Sequence, residues 1–175
     1  MTVQRRPSSG KFFRVSRILR VTSHRNDPSC RTVFTDGSCY PKNPGPGGWA
    51  WAVPGGGRGY GSSPHSTNQR MEITAAWEAV VSLPQDEPLL VISDSKYVVD
   101  CFNREWHVNW KRNGWISSKK TPVANRDLWE PFIEEVLAHR GGVTFEWIKG
   151  HSGHPMNDIV DELARGAARI AARSQ

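Results

Sequence analysis

The sequence predicts an α/β fold: a mixed five-stranded sheet with helices packed on it. Three observations carry this. Near the start, three strand-like runs follow one another with short connections, as in an antiparallel meander. After them, strand-like and helix-like segments alternate, giving the order βββαβαβα. Two apolar runs, residues 32–35 and 88–92, each lead straight into a serine- or glycine-flanked aspartate, Asp36 and Asp94.

The first run, Val33-Phe34-Thr35-Asp36-Gly37-Ser38, reads as a strand that delivers Asp36 to its end and then turns away at Gly37. A carboxylate there is costly unless opposite charge compensates it, although Asp-Gly is also a common turn signal. Residues 40–48, rich in Pro and Gly, read as loop. Residues 49–53 form the second strand, residues 54–57 a turn, and residues 58–63 the return strand. Thr67 is an N-cap candidate for a helix over residues 71–83, stopped by Pro84. Ala75, Ala76, Ala79, Val80 and Leu83 make its inner stripe. Glu72 stands one turn before Ala75 and Ala76, so it opens the buried stripe, with helix capping as its alternative role.

The second apolar run lacks alternation, which suits a central strand covered on both faces. Asp94 at its end is either a functional carboxylate or the N-cap of the helix over residues 96–103. Residues 105–120 interleave Trp106, Trp110 and Trp115 with Lys111, Arg112, Lys119 and Lys120. Aromatic bodies with basic tips suit a surface lying along a phosphate backbone; a packed hairpin with core tryptophans fits the same residues. A helix over residues 127–139 ends at Gly141-Gly142, and residues 143–149 alternate as a strand. The loop Gly150-His151-Ser152-Gly153-His154 follows, then a last helix from Pro155 carrying Asp158, Asp161 and Glu162.

A chain of 175 residues with 37% hydrophobic and 23% charged residues suits one soluble domain with a real core. No apolar run approaches the ~20 residues of a membrane-spanning helix. The net charge of +6 is local: residues 1–31 hold eight Lys/Arg against the single acid Asp27, whereas residues 32–175 are nearly neutral. The N-terminal 31 residues therefore read as a basic extension before a domain over 32–175. A basic arm for nucleic acid, an organellar targeting peptide and a functionless tail all remain open for it. Its stretch Phe12–Val21 is amphipathic. Three cysteines, Cys30, Cys39 and Cys101, without CxxC spacing argue against a disulfide framework or a structural zinc site. They fit reduced thiols in the cytoplasm. No phosphate-binding Gly-rich loop and no GxSxG elbow is present, so nucleoside-triphosphate hydrolysis and acyl transfer lack support.

Asp36, Asp94, Glu72 and either Asp158 or Asp161 thus sit at the ends of regular elements. Converging carboxylates repel one another, and hard divalent cations relieve that repulsion. Two such ions can activate water and stabilise a leaving oxygen at phosphorus.

Residues 32–170 resemble the bacterial-type ribonuclease H family. The resemblance rests on Thr35-Asp36-Gly37-Ser38, Arg70-Met71-Glu72, Ser93-Asp94-Ser95, and Lys149 to Pro155 running on to Asn157 and Asp161-Glu162-Leu163-Ala164. It implies the mixed-sheet fold and Mg²⁺-dependent endonucleolytic hydrolysis of the RNA strand in RNA–DNA hybrids, leaving 5'-phosphate and 3'-hydroxyl ends, with Mn²⁺ able to substitute. It implies two ions held by Asp36, Glu72, Asp94 and Asp161, with Asp158 a neighbour. His151 would assist proton transfer or product departure, and a zinc role for His151 and His154 is disfavoured. Asn43, Asn68 and Gln69 would read the minor groove and its 2'-hydroxyls. Thr67 and Asn125 would hold a phosphate of the DNA strand. Trp110, Lys111, Arg112 and Trp115 belong to a basic protrusion. A monomer is the default. A catalytically silent hybrid-binding module and an integrase-like nuclease are the competing classes; four intact carboxylates count against the first, and the His151 loop with the protrusion against the second.

Overall fold

The computed structural model describes residues 29–174. The amphipathic stretch and nearly all of the basic extension therefore lie outside the described residues. Arg31 is already the first residue of strand β1 (Arg31–Cys39), where it pairs with Leu89 and bonds Glu87.

Strands β2 (Gly45–Ala52) and β3 (Arg58–Ser66) complete an antiparallel meander with β1. Helix α1 (Asn68–Ser82) leads to β4 (Leu89–Ser93), which pairs parallel to β1. Helices α2 (Lys96–Asn103), α3 (Trp106–Arg112) and α4 (Arg126–Ala138) precede β5 (Val143–Trp147), parallel to β4. Helix α5 (Pro155–Arg173) closes the chain. The sheet order is β3-β2-β1-β4-β5, the mixed five-stranded arrangement the sequence predicts, with α3 as an additional short helix.

The sheet has two unlike faces. On one, Val33, Leu89, Val91 and Phe145 meet residues of α1, α2 and α4, and the buried rings of Trp110, Trp115, Trp129 and Phe132 fill the layer. On the other, Phe34, Ala50, Ala52, Leu90 and Ile92 meet only Val160 and Ala164 of α5, with partly buried residues such as Leu163 around them. Strand alternation assigns odd residues of β1 and β4 to the first face and even ones to the second.

Two local expectations are corrected by close backbone approach. Gly37 does not turn the chain, and β1 runs on to Cys39. A Cβ at Gly37 would collide with the backbone of Met71 and Glu72, so the glycine is there to let α1 approach the strand. Likewise β2 starts at Gly45, inside the segment expected to be loop. A side chain at Gly48 would strike the Ala164 carbonyl and the backbone of Ala168, so the glycine lets α5 lie against the sheet. Composition that reads as loop is here the consequence of tight layer packing.

Candidate active site

The parallel register of β1 and β4 ends with Thr35 opposite Ser93. The next residues along the chain are Asp36, still within β1, and Asp94, just past the end of β4, so the two carboxylates follow the same rung. Their parity directs both to the face covered by α5, the helix that carries Asp161. Asp36 lies within β1, three residues before its end, and is buried. Gly37 N–H donates to its Oδ1 at 2.7 Å. Burial pushes its pKa up to about 8, and repulsion from Asp94, Asp161 and Glu72 adds to the rise while the Gly37 bond opposes it. Three other acidic groups, on the chain past β4, on α1 and on α5, therefore act on Asp36.

Glu72 does not cap α1. Thr67 does, its hydroxyl accepting from Arg70 N–H at 3.3 Å. Glu72 is instead held across elements by the Ser95 hydroxyl, which donates to its carboxylate. Burial raises the Glu72 pKa, the Ser95 bond lowers it, and Asp94 raises it further. Asp94 is not a cap either: the N-cap of α2 is Ser95, whose hydroxyl accepts from Val98 N–H at 3.4 Å. With the capping role filled by its neighbour, Asp94 is left for the site. Burial raises its pKa; a hydrogen bond from the Asn157 side chain and the nearby His151 act in the opposite direction, and Asp161 adds repulsion. Asp161 is paired with Arg165 one turn later at 3.0 Å. Asp158 is exposed on the first turn of α5 and is not among the charges that act on Asp36 or Asp94.

The donor set is all carboxylate oxygen, the choice of hard cations such as Mg²⁺, which keep much of their water shell. Among the described residues no three His, Cys, Asp or Glu side chains close into a ready-made cage. The fit rests on the buried, mutually repelling carboxylates rather than on a preformed shell: burial first, and then repulsion from its acidic neighbours, raises the Asp36 pKa, and a cation would offset both. Soft-metal chemistry has no matching donors here. His154 stacks on Phe34 with ring centroids 4.8 Å apart, and His151 is exposed with φ 51° in the preceding loop.

The expected substrate residues fall into three groups. Asn43 and Asn68 tie the β1–β2 loop to α1: Asn68 N–H donates to Asn43 Oδ1 at 3.1 Å, and Cys39 N–H to Asn68 Oδ1 at 2.8 Å. Gln69 is exposed beside them. Thr67 and Asn125 are linked through Arg70, whose guanidinium reaches Asn125 Oδ1 at 3.4 Å and Asp127 at 2.6 Å. Trp110 and Trp115 correct the sequence reading. They are 8% and 7% exposed, packed against one another and, for Trp110, against Trp129. Indoles of that size gain more from the core than from solvent, so they support the protrusion and do not form its contact surface. Lys111, Arg112, Lys119 and Lys120 remain exposed.

Several residues with roles at the site were not singled out by sequence reasoning. Ser95 holds Glu72, Arg70 links the phosphate candidates, and the Asn157 side chain favours the charged form of Asp94. Trp147 Nε1–H donates to the Asp94 carbonyl at 2.9 Å. Ser95, Arg70 and Asn157 lie within the motifs quoted above, but their partners are distant in sequence and no spacing rule would pair them.

Fold and site together define a mixed-sheet α/β protein with a carboxylate cluster beside β1 and β4 suited to divalent cations. The family model for RNase H matches residues 28–169, and the chain belongs to that family. Ribonuclease H of Nitratidesulfovibrio vulgaris strain DP4 is 45% identical over 78% of this chain and 88% of its own length. Ribonuclease H of Saccharopolyspora erythraea is 43% identical over 82% of this chain and 94% of its own. Among solved structures, LC9-RNase H1, described as a type 1 RNase H with the type 2 active-site motif, superposes with a TM-score of 0.64 at 29% identity. That match covers 82% of this chain and 74% of the other. This chain is accordingly a ribonuclease H nuclease.

Proposed function

We propose that the chain hydrolyses the RNA strand of RNA–DNA hybrids internally, leaving 5'-phosphate and 3'-hydroxyl ends, with two Mg²⁺ ions held by Asp36, Glu72, Asp94 and Asp161. The observation that supports it most is that Asp36 and Asp94 directly follow the last rung of the β1–β4 ladder, Thr35 opposite Ser93, with Asp161 acting on both. Bound there, the ions supply an activated water and stabilise the leaving 3'-oxygen. Mn²⁺ fits the same oxygen donors.

The protein's own part is placement. Ser95 fixes the Glu72 carboxylate from α2. Arg165 restrains Asp161. His151, at the exposed rim, receives or returns a proton at its ring nitrogen. The amide oxygens of Asn43 and Asn68 are used internally, so their NH₂ groups are the donors offered to 2'-hydroxyls and base acceptors, alongside Gln69. Thr67 and Asn125, bridged by Arg70, take a DNA-strand phosphate. Lys111 and Arg112 on the protrusion (residues 105–120) add sequence-independent affinity.

Among the described residues no helix is long and apolar enough to cross a membrane. We read the protein as a cytoplasmic monomer, with the catalytic domain over 32–175 and a basic extension before it.

The test is a gel assay with end-labelled RNA–DNA, RNA–RNA and DNA–DNA duplexes, with and without Mg²⁺. The proposal expects cutting of the hybrid's RNA strand alone, and only with the cation. Hybrid binding without cutting in Mg²⁺ or Mn²⁺ would assign the chain to a binding module instead.

A further inference from the structure

Asp94 is held from outside the acidic cluster by strand β5 and the chain that follows it. Strand β5 lies beside β4, and the pairing persists just past its end, where Ile148 N–H donates to the Ser93 carbonyl at 3.1 Å. Trp147 holds the Asp94 carbonyl. This continuation brings Gly150 against the Asp94 side chain. A Cβ built on Gly150 would stand 2.5 Å from Asp94 Oδ2 and 3.3 Å from its carboxyl carbon. Gly150 is not among the glycines with positive φ, so backbone freedom does not explain it; the missing side chain does.

A second wall comes from α5. Asn157 is 2% exposed and sits one helical turn before Asp161. Its Oδ1 has no hydrogen-bond partner, as expected when its NH₂ end is the one turned to a carboxylate.

We propose that Gly150 and Asn157 form a seat that aims the Asp94 carboxylate into the cluster, Gly150 by leaving the space and Asn157 by hydrogen bonding. Both are positioning residues for the reaction proposed above, on which this inference rests. A methyl group at Gly150 meets the free end of a short side chain, not backbone. The carboxylate can swing aside with little effect on folding, but it then leaves the position from which it would hold a cation. Misplacement of a reacting group by about 1 Å is enough to cost ~100-fold in rate.

The experiment uses the full chain and compares Gly150→Ala with wild type and with Gly166→Ala, a control whose added Cβ meets nothing within 4 Å. Steady-state cleavage of an RNA–DNA hybrid, calorimetric titration with Mg²⁺ and melting temperature are read for each. Gly150→Ala is expected to lose at least about tenfold in kcat with KM nearly unchanged, the pattern of a lost transition-state interaction. Its Mg²⁺ affinity falls while its melting temperature holds. Asn157→Ala, which opens space instead of filling it, gives the same kcat-against-KM split. Wild-type kcat and Mg²⁺ affinity in Gly150→Ala overturn the seat, and so does a rate loss that only follows a collapse of melting temperature in both variants. If wild type itself fails to cut the hybrid, the proposed function fails, while the Mg²⁺ titration still decides whether the seat holds Asp94.

Discussion

The two faces of the sheet solve opposite problems. The face under α1, α2 and α4 buries large rings: Trp129 and Phe132 are fully covered, and Phe102 stacks on Phe145 at 4.1 Å. One of its polar handles is used where Trp129 Nε1–H donates to the Tyr97 hydroxyl at 3.0 Å. The face under α5 is thin. Its helix contributes alanines and Val160, and at its edge the layer half-buries carboxylates that repel one another. One face gains free energy from burial, and the other carries a desolvation and repulsion cost that a bound cation would offset. Stability and function are thus divided between the faces, and each can be perturbed alone.

The largest separation is expected from Asp94→Asn. Removal of one proposed cation ligand should lower hybrid cleavage by about a thousandfold or more, a range in keeping with loss of a group that stabilises the transition state. Binding of the hybrid and the melting temperature should hold, because a repelling charge has been removed from the thin face. A gel assay with a parallel binding curve checks both halves.

The mirror experiment is Trp129→Ala. Truncating a fully buried indole costs about 3–5 kcal/mol, read as a fall in denaturant midpoint. At temperatures where the variant stays folded, cleavage per folded molecule should remain close to wild type, since no carboxylate of the site leans on that ring.

A smaller effect sharpens the contrast through pH. Asp36 has its carboxyl raised from 3.8 to about 8, so the folded state holds this proton more tightly than the unfolded chain does. Its contribution to stability is therefore full at low pH and is lost as pH climbs through about 8. His139 works the other way. It is buried at the end of α4, and burial lowers its pKa from the usual 6.5, with the Pro84 backbone pulling the other way. It contributes stability above that value and loses it as pH falls. In cation-free buffer, melting temperature should decline between pH 6.5 and 8.5. Asp36→Asn should flatten that limb and leave the acid limb, set on this helix by His139, in place. A scan of melting temperature against pH for both proteins checks it.

How much of this was legible in the sequence follows the same division. Strands and helices with clear apolar period were read correctly, as were the order of elements and the N-cap at Thr67. The carboxylates stood out because charge at the end of an apolar run is anomalous in any fold. What the sequence hid was mutual. Gly37, Gly45 and Gly48 read as turn or loop because the backbone that crowds against Gly37 and Gly48 belongs to helices far along the chain. Asp94 stayed open between a site carboxylate and a cap because nothing local distinguishes it from Ser95. The tryptophans of residues 105–120 fitted a contact surface as well as a packed hairpin because their spacing alone does not say which side is covered; Arg126 lies over the Trp115 ring at 5.0 Å, and Trp110 packs on Trp129.

The most direct test of the division between the faces is the effect of Mg²⁺ on thermal unfolding at pH 8, measured for wild type and for Asp36→Asn without any nucleic acid. If repulsion among the clustered carboxylates is what the cation relieves, Mg²⁺ should raise the wild-type melting temperature, and the rise should shrink in Asp36→Asn and in wild type at pH 5.5. An equal rise in both proteins at both pH values would place cation binding elsewhere and contradict the account.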